Sequence, residues 1–139
     1  MIQSMLMKKY AQIPKLTFGD SPEQVNTLSM LVLAGIKTAS CCAWQQCVEQ
    51  NNFPQIGALS LVTDSRGRPC CVVQTLRLEW VTFDCVTQEM AFAEGEGDRS
   101  LASWRDEHER FFTAAGFFSH TMPLIFEHFS VIDRLEGVN

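Results

Sequence analysis

The sequence predicts an α+β domain built on a mixed or mostly antiparallel sheet, and three observations predict it. Two segments place apolar residues at helical spacing behind residues that cap helices. Two strand-like runs flank the turn-rich stretch Asp64–Pro69, as in a hairpin. Strands and helices are interspersed, yet no G-x-G-x-x-G or G-x-x-x-x-G-K-[S/T] pattern accompanies them, so neither a doubly wound sheet nor a phosphate loop is indicated. With 139 residues the chain fits one domain around one core.

Taken in order, residues 1–14 form an N-terminal arm with Lys8, Lys9 and a break before Pro14, and the domain spans 15–135. Ser21 caps a helix, Pro22 occupies its first position and Gln24 completes a capping box. Val25, Leu28, Leu31 and Val32 give that helix one apolar face, and Gly35 ends it. GIKTASCCAW then turns into a strand, and Trp44–Gln50 has the length of a short helix, broken at Phe53-Pro54. Ala58–Thr63 and Cys70–Val81 are the hairpin strands, the second long enough to bend or bulge. Asp84 is placed to cap a short helix running to Ala93 and ending near Gly95. After the acidic loop AEGEGDRS, Ser100 caps a second strong helix with Leu101, Trp104, His108, Phe111, Phe112 and Ala115 on one face. Gly116 closes it, and Leu124–Ile132 is the last strand.

Composition narrows the function. A hydrophobic fraction of 46% and a charged fraction of 19% belong to a packed protein rather than a disordered one. A net charge of -5 disfavours a grip on long nucleic acid, while leaving room for a small basic pocket. Cys41, Cys42, Cys47, Cys70, Cys71 and Cys85 contain no C-x-x-C spacing, and vicinal residues on a strand point to opposite faces. They are expected as small core hydrophobes of a reduced protein, with no metal site and no cofactor. No run approaches the roughly 20 apolar residues that span a bilayer, so the expected location is cytoplasmic, with no membrane partner.

Lys37 is the first candidate for chemistry. Beside Thr38 and Ser40 it could activate or orient a hydroxyl, or bind an oxyanion or phosphate; an isolated lysine is more commonly just solvated. Strict alternation would separate Lys37 from Ser40, whereas a turn or bulge after Gly35 would bring them together. Glu94, Glu96 and Asp98 form either a flexible arm supplying a general acid or base, or a solvated lead-in to the next helix. His108 is expected to pack or hydrogen-bond on its helix face rather than catalyse, and His120 and His128 complete no ligand spacing. Trp104 is expected in the core. Trp44 is the best candidate to stack a base.

Three stretches together resemble one family. TFGDSPEQVNTLSMLVLAGIKTAS, FDCVTQEMAFAEGEGDRSLASWRDEHERFF and MPLIFEHFSVI are similar to the ASCH domain, in particular its bacterial branch with G-x-K-T and AEGEGDRSL-x-x-W-R motifs. The resemblance spans roughly Thr17–Ile132. It implies a PUA-like fold, a small, partly closed mixed or antiparallel β-barrel with helices around it. It also implies recognition of RNA or a modified nucleoside in a cleft at Gly35–Ser40. Some members remove acetyl from N4-acetylcytidine through a lysine, a threonine three residues later and a glutamate of the acidic loop, and another bacterial member is described as a ribonuclease.

Carried over, the lysine is Lys37, the threonine's place holds Ser40, and the glutamate is Glu96, with Glu94 as its rival. An arginine five residues after the lysine is replaced by Cys42, and Arg99 could supply its charge. As an enzyme, the chain would attack an amide with Ser40, assisted by Lys37 and Glu96. As a binding module it would hold short single-stranded RNA between Lys37, Arg66, Arg68 and Arg99, with Trp44 stacking a base. Ribonuclease activity through Lys37 and Glu96 is the third expectation. The sequence leaves oligomeric state open.

Overall fold

The computed structural model describes residues 12–135. Its elements run β1 (Lys15–Leu16), α1 (Pro22–Leu33), β2 (Ala39–Ala43), α2 (Trp44–Gln50), β3 (Leu59–Thr63), β4 (Pro69–Thr82), α3 (Gln88–Glu94), α4 (Leu101–Ala115) and β5 (Pro123–Arg134). Five strands form one sheet in the order β1-β3-β4-β5-β2. The β1–β3 pair is parallel and every other pair antiparallel. Within the described residues the outer strands β1 and β2 do not pair with each other, so the sheet is open. That corrects the expected partly closed barrel: β1 has only two residues, too short a rim to reach round to β2.

Local chemistry explains most of the elements. Ser21 is extended and its hydroxyl accepts from the Gln24 amide at 3.1 Å. The Gln24 side chain reaches back to the amide of Asp20, one residue before the cap. Val25, Leu28 and Val32 are the buried face of α1. The long β4 carries register shifts near Val72 and Thr75, which bend it across β5. One cap differs from expectation. Asp84 lies in a 3₁₀ turn, Phe83–Cys85, and the chain becomes extended again at Val86. It re-enters a helix only at Thr87, whose hydroxyl caps α3. Of the expected arm, residues 1–11 lie outside the described residues; Pro14 is pinned, its carbonyl accepting from Leu61 at 2.8 Å.

Helices cover the sheet over two main apolar clusters. One packs Trp104 and Phe112 of α4 and Met90 of α3 against Ala39, Leu124 and Phe126. The other packs Leu28 and Val32 of α1 against Val62, Val73 and Phe129. The segment between α1 and β2 runs beside the C-terminal end of α3. Lys37 lies on it.

Candidate functional site

The Lys37 side chain is buried although its neighbours Ile36 and Thr38 are exposed. Two backbone junctions put it there. The Ile36 and Lys37 amides both donate to the Leu31 carbonyl, wrapping the chain tightly round the end of α1 after Gly35, which has φ +77°. The Thr38 amide then donates to Ala93 of α3 at 2.8 Å, and its carbonyl accepts from Phe129 of β5. Close approach to α3 depends on Gly95. A Cβ there would lie 2.7 Å from the Ile36 oxygen and 2.9 Å from the Lys37 Cα, and the residue has φ +75°.

The ammonium meets both acids that the sequence left as rivals. Lys37 Nζ donates to Glu94 Oε2 at 3.0 Å, to Glu96 Oε2 at 2.8 Å and to the Ala39 carbonyl at 3.0 Å. Burial alone would push the Lys37 pKa down, but Glu94 and Glu96 outweigh it and hold that pKa above the ordinary lysine value. Burial would likewise raise Glu94, yet Lys37 and then His108 keep its carboxyl below the usual range. The two acids differ in access: the Glu94 side chain is 3% exposed and that of Glu96 33%.

Lys37, Ser40, Glu94 and Glu96 line one cleft of about 240 Å³, walled on its far side by His108, Phe111 and Phe112 of α4. Ser40 faces it from β2, opposite Glu127 in register. Among the described residues its hydroxyl has no hydrogen-bond partner. Ser40, Cys42, Gln46, Phe18 and Gly19 also line a second groove of about 590 Å³, so the two hollows meet at Ser40. Among the described residues the cleft is acidic: Asp20, Glu94, Glu96 and Glu107 oppose a single lysine.

The other expected residues lie elsewhere. Gly35 and Thr38 shape the turn without lining the cleft. Arg66 and Arg68 occupy the β3–β4 turn, where Arg68 pairs with Asp64 at 2.8 Å. Arg99 donates to the carbonyls of Phe92 and Ile36 and stacks on the Phe92 ring at 3.5 Å. The three arginines therefore do not ring the cleft with Lys37, and Arg99 does not replace the arginine lost at Cys42, because its guanidinium is spent on the scaffold. Trp44 packs against Phe53 and Trp80, with centroids 4.9 and 4.4 Å away, and lines neither hollow.

Sequence reasoning placed Trp104 in the core and left His108 to pack or hydrogen-bond, so neither was named for the site. The Trp104 indole donates to Glu94 Oε1 at 3.4 Å, and His108 stacks on it at 4.1 Å. Their spacing of four residues on α4 was the available signal, since it sets both rings on one face. Cys41 was also passed over; burial, and then Glu94, push its thiol well above its ordinary value.

Comparison with known proteins agrees with this architecture. The family model described as "ASCH domain" matches residues 15–133. The fold is similar to the ASCH domain of Lactobacillus crispatus JV V101, with a TM-score of 0.82 and 31% identity over 94% of this chain and 86% of that one. Protein EF3133 from Enterococcus faecalis V583 is similar with a TM-score of 0.82 and 27% identity, over 96% and 86% of the two chains. ASCH from Zymomonas mobilis shares the fold at 11% identity and a TM-score of 0.51, over 88% and 71%. No curated protein matches the chain. Among the described residues no helix is long and apolar enough to cross a membrane.

Proposed function

This chain belongs to the ASCH family, and from that premise we propose that its cleft binds a small, neutral, amide-bearing ligand of the modified-nucleoside class and hydrolyses the amide. The observation that carries this reading is the buried Lys37 ammonium, held between Glu94 and Glu96 on the wall of the cleft that Ser40 enters. The acidity of the cleft argues against a polyanion there, because phosphates would face four carboxylates and one lysine whose hydrogens are already engaged. A neutral acylated base meets no such penalty.

In this reading Ser40 Oγ attacks the amide carbonyl and its proton passes to Glu96, the more exposed acid of the pair. Glu96 returns the proton to the leaving amine, and water then releases the acyl group from Ser40. Lys37 does not serve as the base, since it is held protonated. It anchors Glu96 and contributes fixed positive charge near the developing oxyanion. The acyl end would lie in the cleft and the rest of the ligand in the second groove, where Gln46, Asn52, Gln55 and the Phe53 ring offer amides and a stacking face.

Cytidine release from N4-acetylcytidine, followed chromatographically with purified protein, tests the proposal. Ser40→Ala should lower turnover by at least about a hundredfold, the scale of losing a positioned catalytic group. Its unfolding midpoint should not move, because the hydroxyl makes no bond to lose among the described residues. A parent protein with no turnover, or a Ser40→Ala variant as active as the parent, would remove the hydrolytic reading. Retention of short single-stranded RNA at low salt would then favour the RNA-binding alternative, and cleavage of that RNA the ribonuclease.

A further inference from the structure

A thiol, a carboxylate and an imidazole converge on the cleft wall in a way the hydrolytic proposal leaves unused. Cys41 of β2, Glu94 at the end of α3 and His108 of α4 offer Sγ, a carboxylate oxygen and a ring nitrogen, all within 4.8 Å of one another. All three residues line the cleft.

The surroundings set the tautomer of His108. Its Nδ1 lies 2.9 Å from the Trp104 carbonyl oxygen, which can only accept, so Nδ1 carries the hydrogen. In the neutral ring Nε2 then presents a lone pair, and it faces Glu94 Oε1 at 3.7 Å. The two acceptors face each other beside the Cys41 thiol, which is hydrogen-bonded to Glu94, and a cation in place of that thiol hydrogen would engage all three donor atoms at once. Stacking on Trp104, at 15° between planes, holds the ring in this pose. Anchoring the far ring nitrogen on a carbonyl is also how metal-binding histidines are oriented.

Charge points the same way. Lys37 against Glu94 and Glu96 leaves one negative charge over. A divalent cation that displaces the Cys41 proton would bring the group to neutrality. Lys37 holds Glu94 Oε2, and Oε1, which takes only the long 3.4 Å bond from the Trp104 indole, keeps a lone pair for the ion. A sulfur, nitrogen and oxygen donor set suits zinc, and suits magnesium or calcium poorly.

We infer that Cys41 Sγ, Glu94 Oε1 and His108 Nε2 bind one zinc ion, its fourth position facing the cleft. Binding replaces the Cys41 S–H bond by a Zn–S bond and releases that proton to solvent. Sequence spacing could not show this site, because its ligands come from one strand and two helices.

The test uses the full chain stripped of metal and titrated with zinc against a chromophoric chelator, then with cobalt. One equivalent of zinc should bind with release of one proton, and cobalt should give a thiolate charge-transfer band. Cys41→Ser should weaken zinc binding at least about tenfold and abolish the band, as should His108→Gln. Circular dichroism on both variants reports whether the fold is kept. Cys42→Ser combined with Cys47→Ser controls for the neighbouring thiols, whose sulfurs are 3.0 Å apart, and should change nothing. Absence of saturable zinc binding would overturn the inference. So would binding that survives in a folded Cys41→Ser variant, or that disappears with Cys42 and Cys47 instead. None of these readouts needs a substrate, so a chain that hydrolyses no amide leaves the inference standing, and the reverse also holds.

Discussion

Lys37–Glu94 and Arg68–Asp64 are ion pairs of nearly equal length, 3.0 and 2.8 Å, set in opposite surroundings. The Lys37 and Glu94 side chains are 2% and 3% exposed; that of Arg68 is 69% exposed. Around Arg68, water screens the guanidinium and replaces it at little cost, although the Asp64 side chain is only 14% exposed. Around Lys37 water is excluded, so each charge depends on the other, and nothing but protein groups can hold the ammonium. Contact distance alone therefore does not distinguish a site from a turn. Depth does, because removal of water turns an ordinary pair into a fixed local field able to act on a ligand in the adjoining cleft.

The comparison breaks most sharply at Glu94. Glu94→Gln should cost about 3 kcal/mol in urea unfolding, the lower end for breaking a buried pair, because Glu96 still faces Lys37. A variant within about 0.5 kcal/mol of the parent would mean that water reaches the pair. Acid titration gives the next largest effect. Glu94 has its carboxyl held below the usual range, so its contribution is present above the ordinary carboxylate value near 4.5 and lost as pH falls through the folded value. Lys37 is raised, so its contribution is present below the ordinary lysine value near 10.5 and lost only as pH rises beyond it. Stability from the pair should be flat between those limits. The acid loss should shrink in Glu94→Gln and persist in Asp64→Asn.

Gly95→Ala tests the junction that brings the acids to Lys37. It should cost roughly 1–3 kcal/mol, since the positive φ and the clash with the Ile36 carbonyl act together. Smallest is Asp64→Asn, expected below about 1 kcal/mol: the amide oxygen still accepts from the Arg66 and Arg68 amides, and only the screened charge is lost. A larger loss there than at Glu94 would invert the comparison.

The two pairs were also unequally legible. Asp64 and Arg68 are four residues apart in a stretch rich in turn formers, so the turn and its pairing are local facts. Lys37 and its acids are separated by nearly sixty residues. The acidic loop could be aligned one way or another, and Glu94 and Glu96 competed in sequence for a place that both occupy in space. The arginines were harder still: Arg99 looked available because sequence does not display the Phe92 and Ile36 carbonyls that engage it.

What the sequence by itself determined is the set of interactions that close within a few residues. The Ser21 and Ser100 caps, the Gly35, Gly95 and Gly116 stops, the hairpin at Asp64–Pro69 and the apolar face of α1 all depend on hydrogen bonds and periodicities of short range. The resemblance of long blocks added the family. Tertiary structure alone decided that the sheet stays open, that Lys37 is buried between two acids, that Ser40 stands where two hollows meet, and that Cys41 and His108 face Glu94. These are meetings between elements brought together by packing α1, α3 and α4 onto one sheet. No local rule specifies them, because their energy comes from excluding water around groups that are neighbours only after the chain has folded.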